Sequence, residues 1–219
     1  MLTHTPQGFH FKDLYKRSFE NKKKITDESS LYIDDKKKIK FIKDSQSNFK
    51  ITKSQDIKNN YLNYGIGFDV HRLVPNRKLY LGGLKIKSNL GTLGHSDGDP
   101  VLHSIIDSIL GACKMGDIGE KFSNKNKKYK NIRSIILLKQ VIEEINKKNY
   151  FINNLDINII TQTPKVGIYK NKMIKIISKI CKIPKDKINI KGKTTEKLGV
   201  IGKKKAIACE VISSVIKYV

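Results

Sequence analysis

Long apolar runs and paired cysteines are both missing from this chain of 219 residues. No stretch approaches the roughly 18 to 20 uninterrupted apolar residues that a membrane-spanning helix needs, and the first thirty residues lack the apolar centre of a secretory signal. The three cysteines are odd in number and widely spaced, which disfavours a disulfide framework or a cysteine metal site. We expect a soluble chain without a membrane partner, in which Cys113, Cys181 and Cys209 are buried reduced thiols.

Arginine is also scarce, although the formal net charge is +24. Of the 44 basic residues only four are arginines, namely Arg17, Arg72, Arg77 and Arg133, and the lysines are spread along the whole chain. A surface that binds nucleic acid should be clustered and rich in arginine, whose planar guanidinium matches phosphates and bases. The composition therefore disfavours a nucleic-acid partner and is compatible with a small polyanionic substrate.

The composition divides the chain into a leader and one domain. Residues 1–62 have lysine runs at 22–24 and 36–38 and no sustained apolar period, so we predict that this leader is disordered or weakly helical. Its composition fits an organelle transit segment and a plain low-complexity extension equally well. From Tyr64 onward the glycines and apolar periods are those of a folded domain, which we assign to residues 63–219.

Apolar periodicity in this domain predicts the element order β-β-α-α-β-α-β-β. The Asp99-Pro100 pair suits a helix start, because aspartate caps the free N–H groups and proline fits the first turn. We predict an α+β fold with a mixed sheet of four strands, helices packed on one face, and a β-hairpin. The predicted strands are 64–73, 79–86 around a turn at Pro75-Asn76, 155–163, 187–195 and 206–219, and the helices are 99–111, 132–148 and 169–181.

Asp69 and His71 are the sharpest candidates for chemistry. Side chains at positions i and i+2 of a strand project to the same face, and His103 lies in the first turn of the helix that Asp99 begins. A carboxylate and two imidazoles can supply three ligands to a tetrahedral zinc whose fourth position stays open. Asp107 shares a helix face with His103 and can orient its imidazole. The alternatives are a surface aspartate, satisfied histidines and an ordinary helical polar pair.

Weaker candidates lie in loops. His95-Ser96 lies just before a helix start and can hold an anion, or it can be a simple capping loop. Polar clusters end two predicted strands, at 163–165 and 193–197, where functional loops commonly lie. Glu196, in the second cluster, can bind a hard cation such as Mg²⁺.

Together these segments resemble one family, the 2-C-methyl-D-erythritol 2,4-cyclodiphosphate synthases of the non-mevalonate isoprenoid pathway. The resemblance covers about residues 64–218. Its motifs are GIGFDVHR at 65–72, LGG at 81–83, GHSDGDPVLH at 94–103, GDIGEKF at 116–122, TQTPK at 161–165, TTEKLG at 194–199 and AIACE at 206–210.

The resemblance implies a homotrimer with active sites between subunits. The implied substrate is 4-diphosphocytidyl-2-C-methyl-D-erythritol 2-phosphate, whose 2-phosphate attacks the β-phosphorus in line while CMP leaves. Matching by position implies zinc on Asp69, His71 and His103 and magnesium, or Mn²⁺, on Glu196, with Thr194 also in a catalytic role. The implied substrate-binding residues are His95, Ser96, Asp117, Ile118, Gly119, Thr161, Pro164, Lys165, Thr194, Thr195 and Lys203.

Three positions depart from the family pattern. Asn124 stands where an acidic residue is expected, Lys193 replaces a small or hydroxyl residue, and Lys203 replaces an arginine.

Two alternative functions remain at this point: a zinc phosphohydrolase that activates water, and a basic nucleic-acid-binding protein. Because eukaryotes run such pathways in plastids, the leader favours a plastid-type organelle over a soluble cytoplasmic location.

Overall fold

The computed structural model describes residues 8–20, 31–32, 61–123, 125–129 and 131–218. The chain divides into two units, Met1–Lys58 and Asn59–Val219. In the first unit helix α1 (Phe11–Glu20) is formed, and the Arg17 guanidinium lies 4.4 Å from the centre of the Tyr32 ring. The lysine runs of the predicted leader lie outside the described residues.

Within the described residues, the second unit contains seven strands and five α-helices. The strands are β1 (Tyr61–Pro75), β2 (Leu79–Leu81), β3 (Leu84–Ile86), β4 (Leu90–Thr92), β5 (Tyr150–Ile160), β6 (Ile188–Lys193) and β7 (Ala206–Lys217). The helices are α2 (Pro100–Ala112), α3 (Ile118–Lys121), α4 (Ser134–Lys147), α5 (Lys170–Cys181) and α6 (Gly199–Gly202). The predicted mixed α+β fold is confirmed.

The main sheet has five strands in the order β4-β1-β7-β5-β6, so the prediction of four strands was wrong by one. Strands β5 and β6 are parallel, and the other neighbours are antiparallel. The additional strand, β4, is only three residues long and pairs with the end of β1. So short a segment carries no readable apolar alternation, which is why periodicity missed it.

The predicted single strand at 79–86 is also wrong, because it folds as the hairpin β2–β3. Gly82 and Gly83 have φ angles of +58° and +79°, which glycine adopts without the steric cost that a side chain adds. They reverse the chain between Leu81 and Leu84. The turn predicted at Pro75-Asn76 is present, with Asn76 at a φ of +59°.

The core lies between the sheet and α2, α4 and α5. Helix α2 is buried along most of its length, and α4 buries the later part of the apolar stripe that predicted it, from Leu138 to Ile145, whereas Ile136 is exposed. The three cysteines are free and buried, as predicted. Burial raises the pKa of Cys113 to about 11 and that of Cys181 to about 12.

The opposite face of the sheet carries apolar side chains that are exposed in the described part of the chain. We call Tyr64, Ile66, Phe68, Val70 and Ile212 the outer sheet face, and each of them is between 50% and 66% exposed. Residues of β1 alternate across the sheet, so the odd-numbered positions face α2 and the even-numbered positions form this surface. Within the described ranges, no helix combines the length and apolar character that crossing a bilayer requires.

Candidate metal centre and active site

Two glycines allow α2 to lie directly against β1. A Cβ atom added at Gly65 would lie 1.9 Å from the Ser108 carbonyl oxygen, and one added at Gly67 would lie 2.0 Å from that of Ser104. Asp69 and His71 follow on the same face of the strand. Because the helix contacts the strand at its glycines, His103 in the first turn of α2 comes within reach of both.

The three side chains converge through one atom each. Asp69 Oδ2 lies 2.9 Å from His71 Nε2 and 2.9 Å from His103 Nδ1, and the two nitrogens are 3.3 Å apart. Among the residues that the structure describes, this is the only group of three acidic, histidine or cysteine side chains close enough to hold a metal ion. The structure therefore brings together the three side chains that the sequence named as candidate metal ligands.

Hydrogen bonding determines what can lie between these atoms. His71 Nδ1 lies 2.9 Å from the carbonyl oxygen of Leu93, which only accepts, so this nitrogen carries a proton. In neutral His71 the lone pair on Nε2 then faces a carboxylate oxygen. Either an additional proton or a cation must separate these two electron-rich atoms.

The electrostatics of the cluster agree with this requirement. Burial raises the pKa of Asp69, but hydrogen bonds and positive charge from His103 and His71 outweigh it, so the net pKa lies well below the usual range. Burial lowers the pKa of His71, yet the hydrogen bond and charge of Asp69 raise it above its ordinary value of 6.5. The carboxylate is therefore ionised at neutral pH and attracts positive charge.

The orientation of His103 differs from the sequence prediction. Asp107 Oδ1 accepts from the backbone N–H of Ile118 at 2.7 Å and makes no hydrogen bond to the imidazole. His103 Nε2 instead lies 2.8 Å from Ser134 Oγ and 3.1 Å from Ser96 Oγ. Ser134 was missed because it follows His103 by 31 residues and stands where an ordinary helix begins.

The cluster opens into a cavity of about 220 Å³. His95 Nε2 is buried without a hydrogen-bond partner within the described residues, so it is available to a ligand. Asp117 is not part of the cavity wall and caps α3 by accepting from the Glu120 N–H. The lining residues are Asp69, His71, His95, Ser96, His103, Asp107, Ile118, Gly119, Phe122, Tyr129, Ile132 and Leu137.

A second cavity of about 240 Å³ holds another group of the predicted residues. It lies at the ends of the parallel strands β5 and β6 and includes Thr161. Lys165 and Lys193 supply positive charge to it. The lining residues are Thr161, Gln162, Pro164, Lys165, Val166, Gly167, Lys170, Gly192, Lys193 and Thr194.

Besides Asp117, three predicted residues lie outside both cavities of the single chain. Thr195 Oγ1 donates to the carbonyl oxygen of Leu198 at 2.8 Å, and Glu196 Oε1 accepts from Thr194 Oγ1 at 2.6 Å. Lys203 follows α6 and is exposed. Asn124, one of the three departures, lies outside the described residues.

Comparison with known proteins gives consistent matches. The chain matches the model of the YgbB family over residues 62–216. It is 51% identical over 153 residues to a 2-C-methyl-D-erythritol 2,4-cyclodiphosphate synthase from Clostridium botulinum, covering 70% of this chain and 98% of that protein. A solved structure of IspF from Plasmodium falciparum, titled as a CDP complex, is 45% identical with a TM-score of 0.64, covering 72% of this chain and 97% of that one.

A bifunctional enzyme IspD/IspF from Pelagibacter ubique is 64% identical over 217 residues, which is 99% of this chain. The chain spans only 58% of that relative's length. Because this alignment includes nearly all of residues 1–62, the leader is shared with a bacterial enzyme. The relatives that align with nearly the whole chain are bacterial, so the prediction of a plastid location receives no support.

Proposed function

Because this chain belongs to the YgbB family, we propose that it converts 4-diphosphocytidyl-2-C-methyl-D-erythritol 2-phosphate to 2-C-methyl-D-erythritol 2,4-cyclodiphosphate and releases CMP. One observation carries the proposal: Asp69, His71 and His103 bring one ligand atom each within 3.3 Å of the others, in a cavity that His95 also lines. The Clostridium relative, which bears the name of this synthase, supports it.

The residues present fit a zinc ion. Zinc bonds of about 2.0 to 2.1 Å at tetrahedral angles separate neighbouring ligand atoms by about 3.3 Å. The three ligand atoms here are 2.9 to 3.3 Å apart, so they match one face of that tetrahedron after a small adjustment. Asp69, His71 and His103 would hold zinc, and Glu196 would hold magnesium, because hard cations prefer carboxylate oxygens.

Bound there, the two cations would supply positive charge to the phosphoryl oxygens during the reaction. In that reaction an oxygen of the 2-phosphate bonds to the β-phosphorus. The bond from the β-phosphorus to the oxygen shared with the α-phosphate breaks, and CMP leaves with the electron pair. No protein nucleophile is required, so the task of the chain is to position and neutralise its substrate.

The chain's own residues divide this task between the two cavities. His95 and Ser96 would bind the phosphate end, where a buried imidazole nitrogen has no internal partner. Thr161, Pro164 and Lys165 would bind the cytidine diphosphate end, together with other predicted residues of the second cavity. The Plasmodium relative, whose structure is titled as a CDP complex, supports a cytidine diphosphate ligand.

We further propose a homotrimer, because one chain does not unite the two cavities. The outer sheet face is a contiguous apolar surface, and surfaces of this kind commonly mark contacts between proteins. Burying it between subunits would remove that surface from water and would bring the two cavities of neighbouring chains together. Thr195, Glu196 and Lys203, which lie outside both cavities of a single chain, would then have a place at the subunit boundary.

Light scattering after size-exclusion chromatography tests the assembly. The wild-type chain is expected to have three times the mass of one chain. Phe68→Asp places a charge on the outer sheet face and should yield monomers, whereas Phe19→Asp, on exposed α1, should leave the mass unchanged. A monomeric wild-type chain contradicts the assembly.

The activity is tested with the full chain, the named substrate, zinc and magnesium, by mass spectrometry of the products. CMP and the cyclic diphosphate are expected in equal amounts. His103→Ala should lose bound zinc and turnover together, and His10→Ala, which changes an exposed histidine, should lose neither. A linear phosphate product would indicate a zinc phosphohydrolase, and turnover by metal-free His103→Ala would exclude the zinc mechanism.

A further inference from the structure

A buried serine lies behind the candidate metal centre. Ser134 is the first residue of α4 and is completely buried, and it is not part of either cavity wall. Its Oγ lies 2.8 Å from His103 Nε2 and 2.5 Å from Asp97 Oδ1. This hydroxyl therefore connects the histidine to a carboxylate that is not part of the cavity wall.

The Asp97 carboxylate is held in place from the other side. Its Oδ2 accepts from Arg133 Nε at 2.8 Å, and its Oδ1 accepts from the backbone N–H of Ser134 at 3.1 Å. The Arg133 guanidinium is itself fixed, because it lies 4.1 Å from the centre of the Tyr80 ring and donates to the carbonyl oxygen of Gly83. The side chain of Asp97 is only 5% exposed, so water does not compete for these bonds.

The direction of each hydrogen bond follows from this arrangement. An ionised carboxylate only accepts, so the Ser134 hydroxyl must donate its proton to Asp97. The lone pairs of Ser134 Oγ are then left to accept from the N–H at His103 Nε2. A proton on Nε2 leaves the lone pair of His103 on Nδ1, the atom 2.9 Å from Asp69 Oδ2.

We propose that Ser134, held by Asp97, is a positioning residue that fixes the tautomer and ring orientation of the ligand His103. This inference rests on the metal site proposed above. His71 receives the same support from the backbone carbonyl of Leu93, which substitution cannot remove. Ser96 is a weaker support for His103, because its Oγ is farther away and also accepts from the Gly98 N–H.

The experiment compares Ser134→Ala with Ser108→Ala in the full chain. Ser108 is an equally buried helical serine whose hydroxyl donates to the Ile105 carbonyl and does not contact the metal ligands. Zinc affinity is measured by competition with a chromogenic chelator, and the visible absorption of the Co²⁺-substituted protein reports ligand geometry. Ser134→Ala should bind zinc about 10- to 100-fold more weakly, as loss of such outer support typically does, and should change the Co²⁺ bands. Ser108→Ala should match the wild type in both.

Asp97→Asn keeps the test decisive if Ser134→Ala does not fold. The amide of this variant can donate to Ser134, which releases the hydroxyl from its fixed direction, so weaker zinc binding and changed Co²⁺ bands are expected again. Wild-type affinity and Co²⁺ bands in a folded variant at either position would overturn the positioning role while leaving the metal site intact. If the wild type and His103→Ala bind zinc equally poorly, the metal site itself is refuted.

Discussion

Replacing Gly67 with alanine tests whether the contact between α2 and β1 creates the metal centre. The added Cβ would lie 2.0 Å from the Ser104 carbonyl oxygen and 2.7 Å from the Ser108 nitrogen. Ordinary contact begins at 3.4 Å, so the oxygen is 1.4 Å too close. Both atoms belong to the backbone of a buried helix, so no side chain can turn away and the helix itself must shift.

Overpacking of a core typically costs about 1 to 3 kcal/mol, and we expect about 3 kcal/mol here because backbone atoms are opposed. His103 shifts with α2, whereas Asp69 and His71 stay with β1. Since ligand distances in a metal site tolerate errors of only about 0.2 Å, zinc affinity should fall together with stability.

Urea unfolding followed by circular dichroism measures the loss of stability, with a chelator present so that metal does not contribute. Chelator competition measures the loss of zinc affinity. Gly167→Ala is the matched control, because a Cβ there meets nothing within 4 Å, and its stability should change by less than about 0.5 kcal/mol. If Gly67→Ala unfolds at the wild-type urea concentration and binds zinc equally well, close packing at Gly67 is not what positions His103.

Three further predictions concern a buried carboxylate, pH and the thiols. Asp99 accepts four backbone N–H bonds, so Asp99→Asn, whose amide must face one of these donors, should lower the free energy of unfolding by about 1 to 3 kcal/mol. Exposed Asp186→Asn is the control, and equal urea midpoints would contradict the prediction. Metal ligation needs neutral His71, whose pKa is raised above 6.5 because the Asp69 hydrogen bond and charge outweigh burial. Zinc affinity should therefore fall as pH is lowered through that raised pKa, and affinity independent of pH there would refute the ligand role. In the metal-free chain the stability depends on pH in the opposite direction. The stability that protonated His71 contributes is complete below pH 6.5 and is lost as pH rises through the raised pKa. Thermal unfolding with a chelator present can follow this loss. The three buried thiols, Cys113, Cys181 and Cys209, should react with a thiol reagent only after the chain unfolds. Rapid reaction of the native chain would contradict their burial.

Local patterns in the sequence were sufficient for most of the secondary structure and for naming the three side chains that the structure brings together as a candidate metal site. The apolar stripe of α4 and the Asp99-Pro100 start of α2 each depend on residues a few positions apart, and the structure contains both helices. The i, i+2 spacing of Asp69 and His71 places both on one face of β1 for the same reason. The resemblance to the synthase family, carried by motifs in order along the domain, agrees with the family to which the chain belongs.

Other features depended on contacts between distant segments. The shortest contact of His103 Nε2 is to Ser134 and not to the nearby Asp107, because the fold brings the start of α4 behind the imidazole while Asp107 is engaged by the backbone of Ile118. The short strand β4 exists only because the end of β1 offers it unpaired backbone groups. Periodicity reports which face of an element is apolar, but it does not report which other element covers that face. The sequence alone therefore identified the candidate metal ligands, whereas only tertiary packing at Gly67 and Ser134 decided how these side chains meet and what holds them.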